Sequence, residues 1–341
     1  MKRSSLEHMD LNLRESLIAV LIAILPSRLK VGIYRLKGAK IGRKVSIGFG
    51  SVIMAENFSK ISIGDFTTIQ NFTFIICREV DIGKYAHIRM FVWVWGSGKL
   101  ILKNKTQLSA RVRIDLRRNN FYLGEYSGLA TGCIVYTHTH VFSYIHGWWH
   151  TLKDVVMEDF TFVGVNSVVL PGVTIKKNSV IGAGSVVTRS IPPNSFAAGC
   201  PAKVVSKIDK FIDKVDSKEL KKRTIEIAKD LVDYFEFKIL SEEDVGNAHV
   251  ITFERSKFLS KKIWRILIAD AKNLNKEGAA LSNEGNTILF SISEVPSKIS
   301  SQVSLWYDLN NLKCCNLPNR FSIDIWSFLY ETWAVVCDVQ N

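Results

Sequence analysis

An aliphatic residue returns at every sixth position through much of this chain, and that period excludes most folds at once. From Met157 the series runs Met157, Val163, Val169, Ile175, Ile181, Val187. Earlier it comes in sets of three: Ile41/Ile47/Ile53, Ile63/Ile69/Ile75, Ile82/Ile88/Val94, Leu102/Leu108/Ile114 and Leu123/Leu129/Val135. A period of six fits neither the 3.6 of a helix nor the alternation of a plain strand. Each hexad therefore reads as a short strand plus a corner, its aliphatic residue facing an inner axis. Three corners close one triangular coil. The 21 hexads build about seven coils, a prism roughly 34 Å tall at the usual spacing between strands.

Glycine often follows the aliphatic residue, as in "IGRKVS", "IGDFTT", "IGKYAH", "LGEYSG" and "VGVNSV". A residue without Cβ there is expected to let the corner take positive φ. Extra residues enter only between sets of three, after positions 58, 80, 99 and 119, and the longest insertion, 141–156, follows His140. All the breaks fall on one edge, where an insertion builds a feature beside the core without disturbing it.

The insertion belongs to "VYTHTHVFSYIHGWWH", residues 135–150, with four histidines and an aromatic cluster. Zinc would need several of these histidines converging in a fixed geometry, and no such ligand spacing is evident. His146 and His150 read as loop residues. Charge adds a second clue: 26 of the 45 basic but only 12 of the 32 acidic side chains lie in residues 1–206. A basic surface attracts anionic partners, yet no nucleic-acid motif accompanies it. Six cysteines without CxxC spacing, two of them adjacent, argue for a reducing cytoplasm over a disulfide framework.

The segment "FVGVNSVVLPGVTIKKNSVIGAGSVVTRSIPPNSFAAGCPAKVV" (162–205) carries PGV, GAGSVV, IPP and GxPAK elements in order. With "LGEYSGLATGCIVYTHTH" (123–140), it resembles the hexapeptide-repeat, left-handed β-helix acyltransferases, in particular the sugar O-acetyltransferases, over about residues 30–206. The resemblance implies an all-β core, a left-handed parallel β-helix, with acetyl-CoA as acyl donor. It puts the catalytic histidine on His140, with His138 as a hydrogen-bonding helper. The paired-histidine spacing of the related γ-class carbonic anhydrases is missing around His87 and His138, so no metal is expected.

The implied chemistry needs little more than one base. A thioester is already activated, and an imidazole with an unperturbed pKa near ~6.5 can take a proton from an attacking hydroxyl. Backbone N–H groups at a corner can hold the oxyanion, and no covalent enzyme intermediate is required. Asp115, one coil before His140, is expected to orient the imidazole or bind a hydroxyl. Tyr144, Trp148 and Trp149 offer flat rings to a sugar acceptor. The asparagine that maltose and galactoside enzymes carry near this place is absent from "LSARVRIDL", which leaves the acceptor class open. By position in the family, Gly164, Val165, Ala183, Gly184, Thr188, Arg189 and Lys203 are expected at coenzyme A, with Gly199 flanking them, Arg189 and Lys203 meeting phosphates.

The resulting division is an N-terminal helical segment (1–37), the β-helix acyltransferase domain (38–206) and a C-terminal α/β accessory domain (207–341) without a recognisable catalytic motif. The apolar run from Leu17 ends at Pro26 without a cleavage signal and is too short to span a membrane. That segment either caps the open end of the prism or touches a membrane surface. The expected activity is cytoplasmic O-acetylation of a surface or secreted glycan, by a homotrimer that the resemblance implies. Two alternatives are N-acylation of an amino sugar nucleotide and a non-catalytic scaffold or binding protein.

Overall fold

The computed structural model describes residues 18, 21–140, 144–212, 215–245, 247–257, 260–269 and 286–291, together with 305–308, 313–314, 325, 329 and 338–339. The chain divides into two compact units, residues 1–213 and 214–341.

The first unit is the prism. Three parallel sheets form its walls, and each hexad contributes one short strand to one wall in turn. The first wall starts at Lys40–Ile41, the second at Ser46–Ile47 and the third at Val52–Met54. Every coil stacks in register on the last, so that Ile41, Ile63, Ile82, Leu102, Leu123, Met157 and Ile175 form one column down the first wall. These residues and their counterparts in the other walls fill the axis; all are buried except Ile41, half-buried in the end coil. Seven coils result, as the hexads predict, and an incomplete eighth follows: Ile191 bridges to Ile175 and Ala197 pairs with Ile181. The antiparallel pair Ser195–Ala198 and Lys203–Lys207 then closes the second wall. Ile208 is buried behind it and Phe211 packs on Phe196 at 4.6 Å, so the first unit continues past residue 206.

The corner glycines act differently from expectation. Gly42, Gly64, Gly83, Gly124 and Gly164 do not have positive φ; a Cβ on any of them would meet backbone of the next coil at 2.5–2.6 Å. Close approach of coil to coil is what demands glycine. The positive φ falls two residues later, on Lys44, Phe66, Tyr85, Tyr126 and Asn166. For a ring-bearing residue this conformation costs about 1–2 kcal/mol. Stacking between coils offsets the cost at one corner: Phe66 on Tyr85 at 5.2 Å and Tyr126 on Phe160 at 5.0 Å, with the ammonium groups of Lys44, Lys105 and Lys177 over Phe66, Tyr126 and Phe160.

A stack of strands has an open end whose unpaired backbone needs cover. Helix α1 (Ser27–Leu36) supplies it with side chains to all three walls. Arg35 donates to Ile41 O at 3.1 Å and Gly42 O at 2.6 Å. Ser27 Oγ accepts from Ile47 N at 2.9 Å, and buried Lys30 donates to Gly48 O and Ser51 O. The Tyr34 hydroxyl donates to Ile53 O at 2.8 Å and accepts from Ile53 N at 3.0 Å. Capping is thus the role its hydrogen bonds show. No helix among the described residues is long and apolar enough to cross a membrane.

The insertion also differs in extent from the expected 141–156. The chain leaves the third wall at Thr137, whose N–H and hydroxyl both donate to Asp115 O at 3.0 Å. It then forms an antiparallel hairpin, His138–His140 against His150–Leu152, with His140 opposite His150. Asp154 recaptures the returning chain by accepting from Asn120 N at 2.8 Å. Val155 and Val156 already pair with Phe121 and Tyr122, so they belong to the wall and not to the insertion.

The second unit is an α/β domain. Its described strands form one mixed seven-stranded sheet from Lys238–Val245 to Asp338–Val339. Helix α2 (Ser217–Tyr234) is capped by Asp216, whose side chain accepts from Glu219 N at 2.8 Å, and buries Ile227, Ala228, Leu231 and Val232.

Candidate active site

The residues singled out in sequence gather along the third wall and its two edges. In a strand, residues on either side of an inward-facing position point outward. Arg113 and Asp115 flank buried Ile114, and register places them between Trp93 and Trp95 of one neighbouring strand and Ile134 and Tyr136 of the other. Two rows follow: Trp93, Arg113, Ile134 and, nearer the hairpin edge, Trp95, Asp115, Tyr136. Together they line an open cavity of about 320 Å³.

At the hairpin edge, His138 Nδ1 stands 3.5 Å from Asp115 Oδ1. That is longer than a formed hydrogen bond. The imidazole side chain is only 11% exposed and meets the Tyr136 ring edge-on at 6.1 Å. A carboxylate that accepts a hydrogen bond from Nδ1 would fix the tautomer that leaves Nε2 able to accept a proton. Asp115, expected near the base, is therefore beside His138. The backbone of His140 lies two residues further along the hairpin, and its side chain lies outside the described residues, as does that of Tyr144. Trp148 and Trp149 are exposed in the hairpin loop, their rings 5.8 Å apart.

The residues expected at the cofactor form two groups. Gly164 and Val165 of the sixth coil and Ala183 and Gly184 of the seventh stack at the corner between the second and third walls, where Gly184 N–H donates to Val165 O at 2.8 Å. Gly184 has φ +67°, and Val165 is exposed. Gly199 N–H donates to Ser185 Oγ at 3.1 Å, and Lys203 pairs with Ala198 beneath that corner. Thr188 and Arg189, also exposed, follow strand Val186–Val187 and so emerge at the opposite, hairpin edge of the wall. This is the edge that carries Asp115, three coils away, or about 14 Å at the spacing of strands. Among the described residues no three His, Cys, Asp or Glu side chains converge as metal ligands.

Sequence reasoning missed Trp93, Trp95, Arg113 and Tyr136. The signal was present in "WVW", "RID" and "IVY", where each triplet brackets an inward aliphatic residue of the same wall.

The family described as bacterial transferase hexapeptide (six repeats) matches residues 154–189. The dTDP-4-amino-4,6-dideoxy-D-glucose acyltransferase of Escherichia coli is 30% identical over 159 residues, 46% of this chain and 77% of the relative. A Schizosaccharomyces pombe protein named as an acetyltransferase is 55% identical over 53 residues, 16% of this chain and 26% of the relative, so the match spans about a quarter of that protein's length. Among solved structures, a Bacillus cereus N-acyltransferase in complex with dTDP and 3-hydroxybutyryl-CoA is 15% identical with a TM-score of 0.39, covering 61% of this chain and 96% of that chain. By its fold and its matched length, this chain belongs to the hexapeptide-repeat, left-handed β-helix acyltransferases.

Proposed function

We propose that the chain transfers an acyl group from a coenzyme A thioester to the amine of an amino sugar nucleotide. One observation carries this reading: Asp115, beside His138, lines a cavity that also holds a guanidinium and three aromatic rings. An amino sugar nucleotide has the complementary pattern, an amine near a carboxylate and a diphosphate near a guanidinium. The Escherichia coli relative, whose matched length is the greater of the two, is named for such an acceptor. Glycan O-acetylation, the first expectation from residues 123–140, accounts less well for a carboxylate and a guanidinium side by side in the cavity. Family membership favours catalysis over a passive scaffold.

In the proposed step the amine nitrogen attacks the thioester carbonyl, forming the C–N bond. His138 Nε2 takes the proton that nitrogen sheds, while Asp115 holds the imidazolium. The tetrahedral intermediate then collapses with cleavage of the C–S bond, and the leaving thiolate takes the proton from the His138 imidazolium. The acyl donor lies along the third wall, its pantetheine amides meeting the corner at Gly164, Val165, Ala183 and Gly184, and its phosphates Arg189 and Lys203. The reading implies a cytoplasmic protein, because coenzyme A thioesters are made there, and a homotrimer by analogy with the family.

The test is to incubate the protein with acetyl-CoA and, separately, a 4-amino sugar nucleotide, the matching 4-hydroxy sugar nucleotide and a panel of neutral glycans. Thiol release and product mass are followed together. Amide formation on the amino sugar alone is expected; ester formation on a glycan with an inert amine would overturn the reading.

A further inference from the structure

The cavity on the third wall has a cationic row that the transfer step does not use. Its row nearest the hairpin places Asp115 between Trp95 and Tyr136, and the next row places Arg113 between Trp93 and Ile134. Residues two apart in a strand are about 6.6 Å apart, so the carboxylate and guanidinium rows are separated by roughly the width of a pyranose ring. Trp93 and Trp95 are each 54% exposed on this face. The half-exposed Trp93 indole beside Arg113 leaves both stacking surface and charge available to a ligand.

We infer that Arg113 and Trp93 form a subsite for the nucleoside diphosphate half of the acceptor, Arg113 meeting the diphosphate and Trp93 stacking on the base. This rests on the amino sugar nucleotide reading above and assigns the part of the substrate that the reaction does not change. The order of groups along the wall follows the order in the ligand. The amine lies at Asp115 and His138, the sugar spans the gap between the Asp115 and Arg113 rows, the diphosphate reaches Arg113, and the base covers Trp93. A planar guanidinium can bond two phosphate oxygens at once, which a lysine at the same place cannot reproduce. The aromatic face accepts any base, because every base has a π face. A neutral glycan would leave the guanidinium without its anion, so Arg113 selects for a phosphorylated acceptor.

The experiment is calorimetric titration of the full chain with UDP and with dTDP, in saturating coenzyme A so that the donor site is already filled. The parent protein is expected to bind at least one of the two, more weakly as salt rises. Arg113→Ala should weaken binding about tenfold or more, Arg113→Lys should restore part of it, and Trp93→Ala should weaken it about tenfold. Coenzyme A affinity and the thermal transition should stay as in the parent. No heat from either nucleotide, or parental binding in both alanine variants, overturns the inference. So does sedimentation showing that the variants lose nucleotide only because an oligomer has come apart, since the face is then a contact between copies. The two proposals fail separately. Nucleotide binding through Arg113 without acylation of any amino sugar leaves the subsite and removes the proposed activity. Acylation with a KM for the nucleotide sugar indifferent to Arg113→Ala removes the subsite and leaves the activity.

Discussion

His87 lies in the second wall between Thr68 and Gln107 of the neighbouring coils and is only 3% exposed. Burial, reinforced by the nearby Arg89 guanidinium, pushes its imidazole down to about 4. In the unfolded chain the same ring titrates near ~6.5. A folded pKa below the unfolded one means that the unfolded state takes up the extra proton in between. His87 thus costs nothing above pH ~6.5, and the prism loses stability as pH falls from there toward about 4. The gap between those values is worth roughly 3 kcal/mol at about 1.4 kcal/mol per tenfold change. Integrated from pH 7.5 to 5.0, the loss is about 2 kcal/mol. Carboxylates do not mimic it: Asp65 is held low mainly by the Arg43 backbone N–H and Glu79 mainly by the Lys99 ammonium, and a lowered carboxyl loses its contribution only below its ordinary range. The assay is urea unfolding of the full chain at both pH values, read by hydrogen exchange in peptides from residues 61–129 so that the prism is followed by itself. The parent should lose about 2 kcal/mol between the two pH values, and His87→Gln should be nearly flat. An equal loss in both proteins would refute the reasoning.

Two glycine substitutions should change stability with opposite signs. Gly83→Ala should destabilise the prism by about 2 kcal/mol or more, because its Cβ would stand 2.6 Å from Lys103 backbone, whereas Gly32→Ala in α1, with nothing within 4 Å, should stabilise by about 0.5–1 kcal/mol; thermal melts of both variants check the pair. Tyr34→Phe removes the hydroxyl that satisfies both Ile53 N and Ile53 O. It should cost about 2–4 kcal/mol in denaturant, with hydrogen exchange rising first in the coil that contains Ile53. At the proposed base, His138→Ala should lower kcat about 10²-fold or more, and Asp115→Asn should lower it with little change in coenzyme A affinity. Steady-state kinetics of His140→Ala beside them decides the base, since a larger loss there would move it to the residue that the family resemblance implies.

The inner axis was legible because one physical demand repeats: every sixth side chain must fill the same narrow core, and an aliphatic residue is what fills it. Ile47 and Val187 meet the same demand at opposite ends of the stack, which is why seven coils could be counted from the chain alone. The corners were only half legible. Glycine there was read as a device for positive φ, yet Gly64 answers to the backbone of Lys84, a contact 20 residues away that no local pattern contains. The left-handed position instead fell on Phe66 and Tyr85, residues that local propensity disfavours and that stacking between coils sustains. The insertion was placed on the right edge with the wrong limits, because Val155 resembles loop until it is seen to pair with Phe121.

The cavity shows where the remaining information lay. Nothing about "WVW" or "RID" marks a binding site when each is read as a separate stretch, since an exposed tryptophan or arginine on a strand needs no explanation. Once the hexads assign Val94, Ile114 and Val135 to one wall, however, register forces their neighbours into rows: Trp93 beside Arg113 beside Ile134, and Trp95 beside Asp115 beside Tyr136. The same repeat that builds the core thereby sets the order of groups on the outer face, and an amine, a sugar, a diphosphate and a base can be laid along it in sequence. In a solenoid of this kind the register of the buried residues specifies the exposed ones. A substitution at Arg113 or Trp93 can therefore change what the wall binds while Ile114 and Val94 keep the wall as it is.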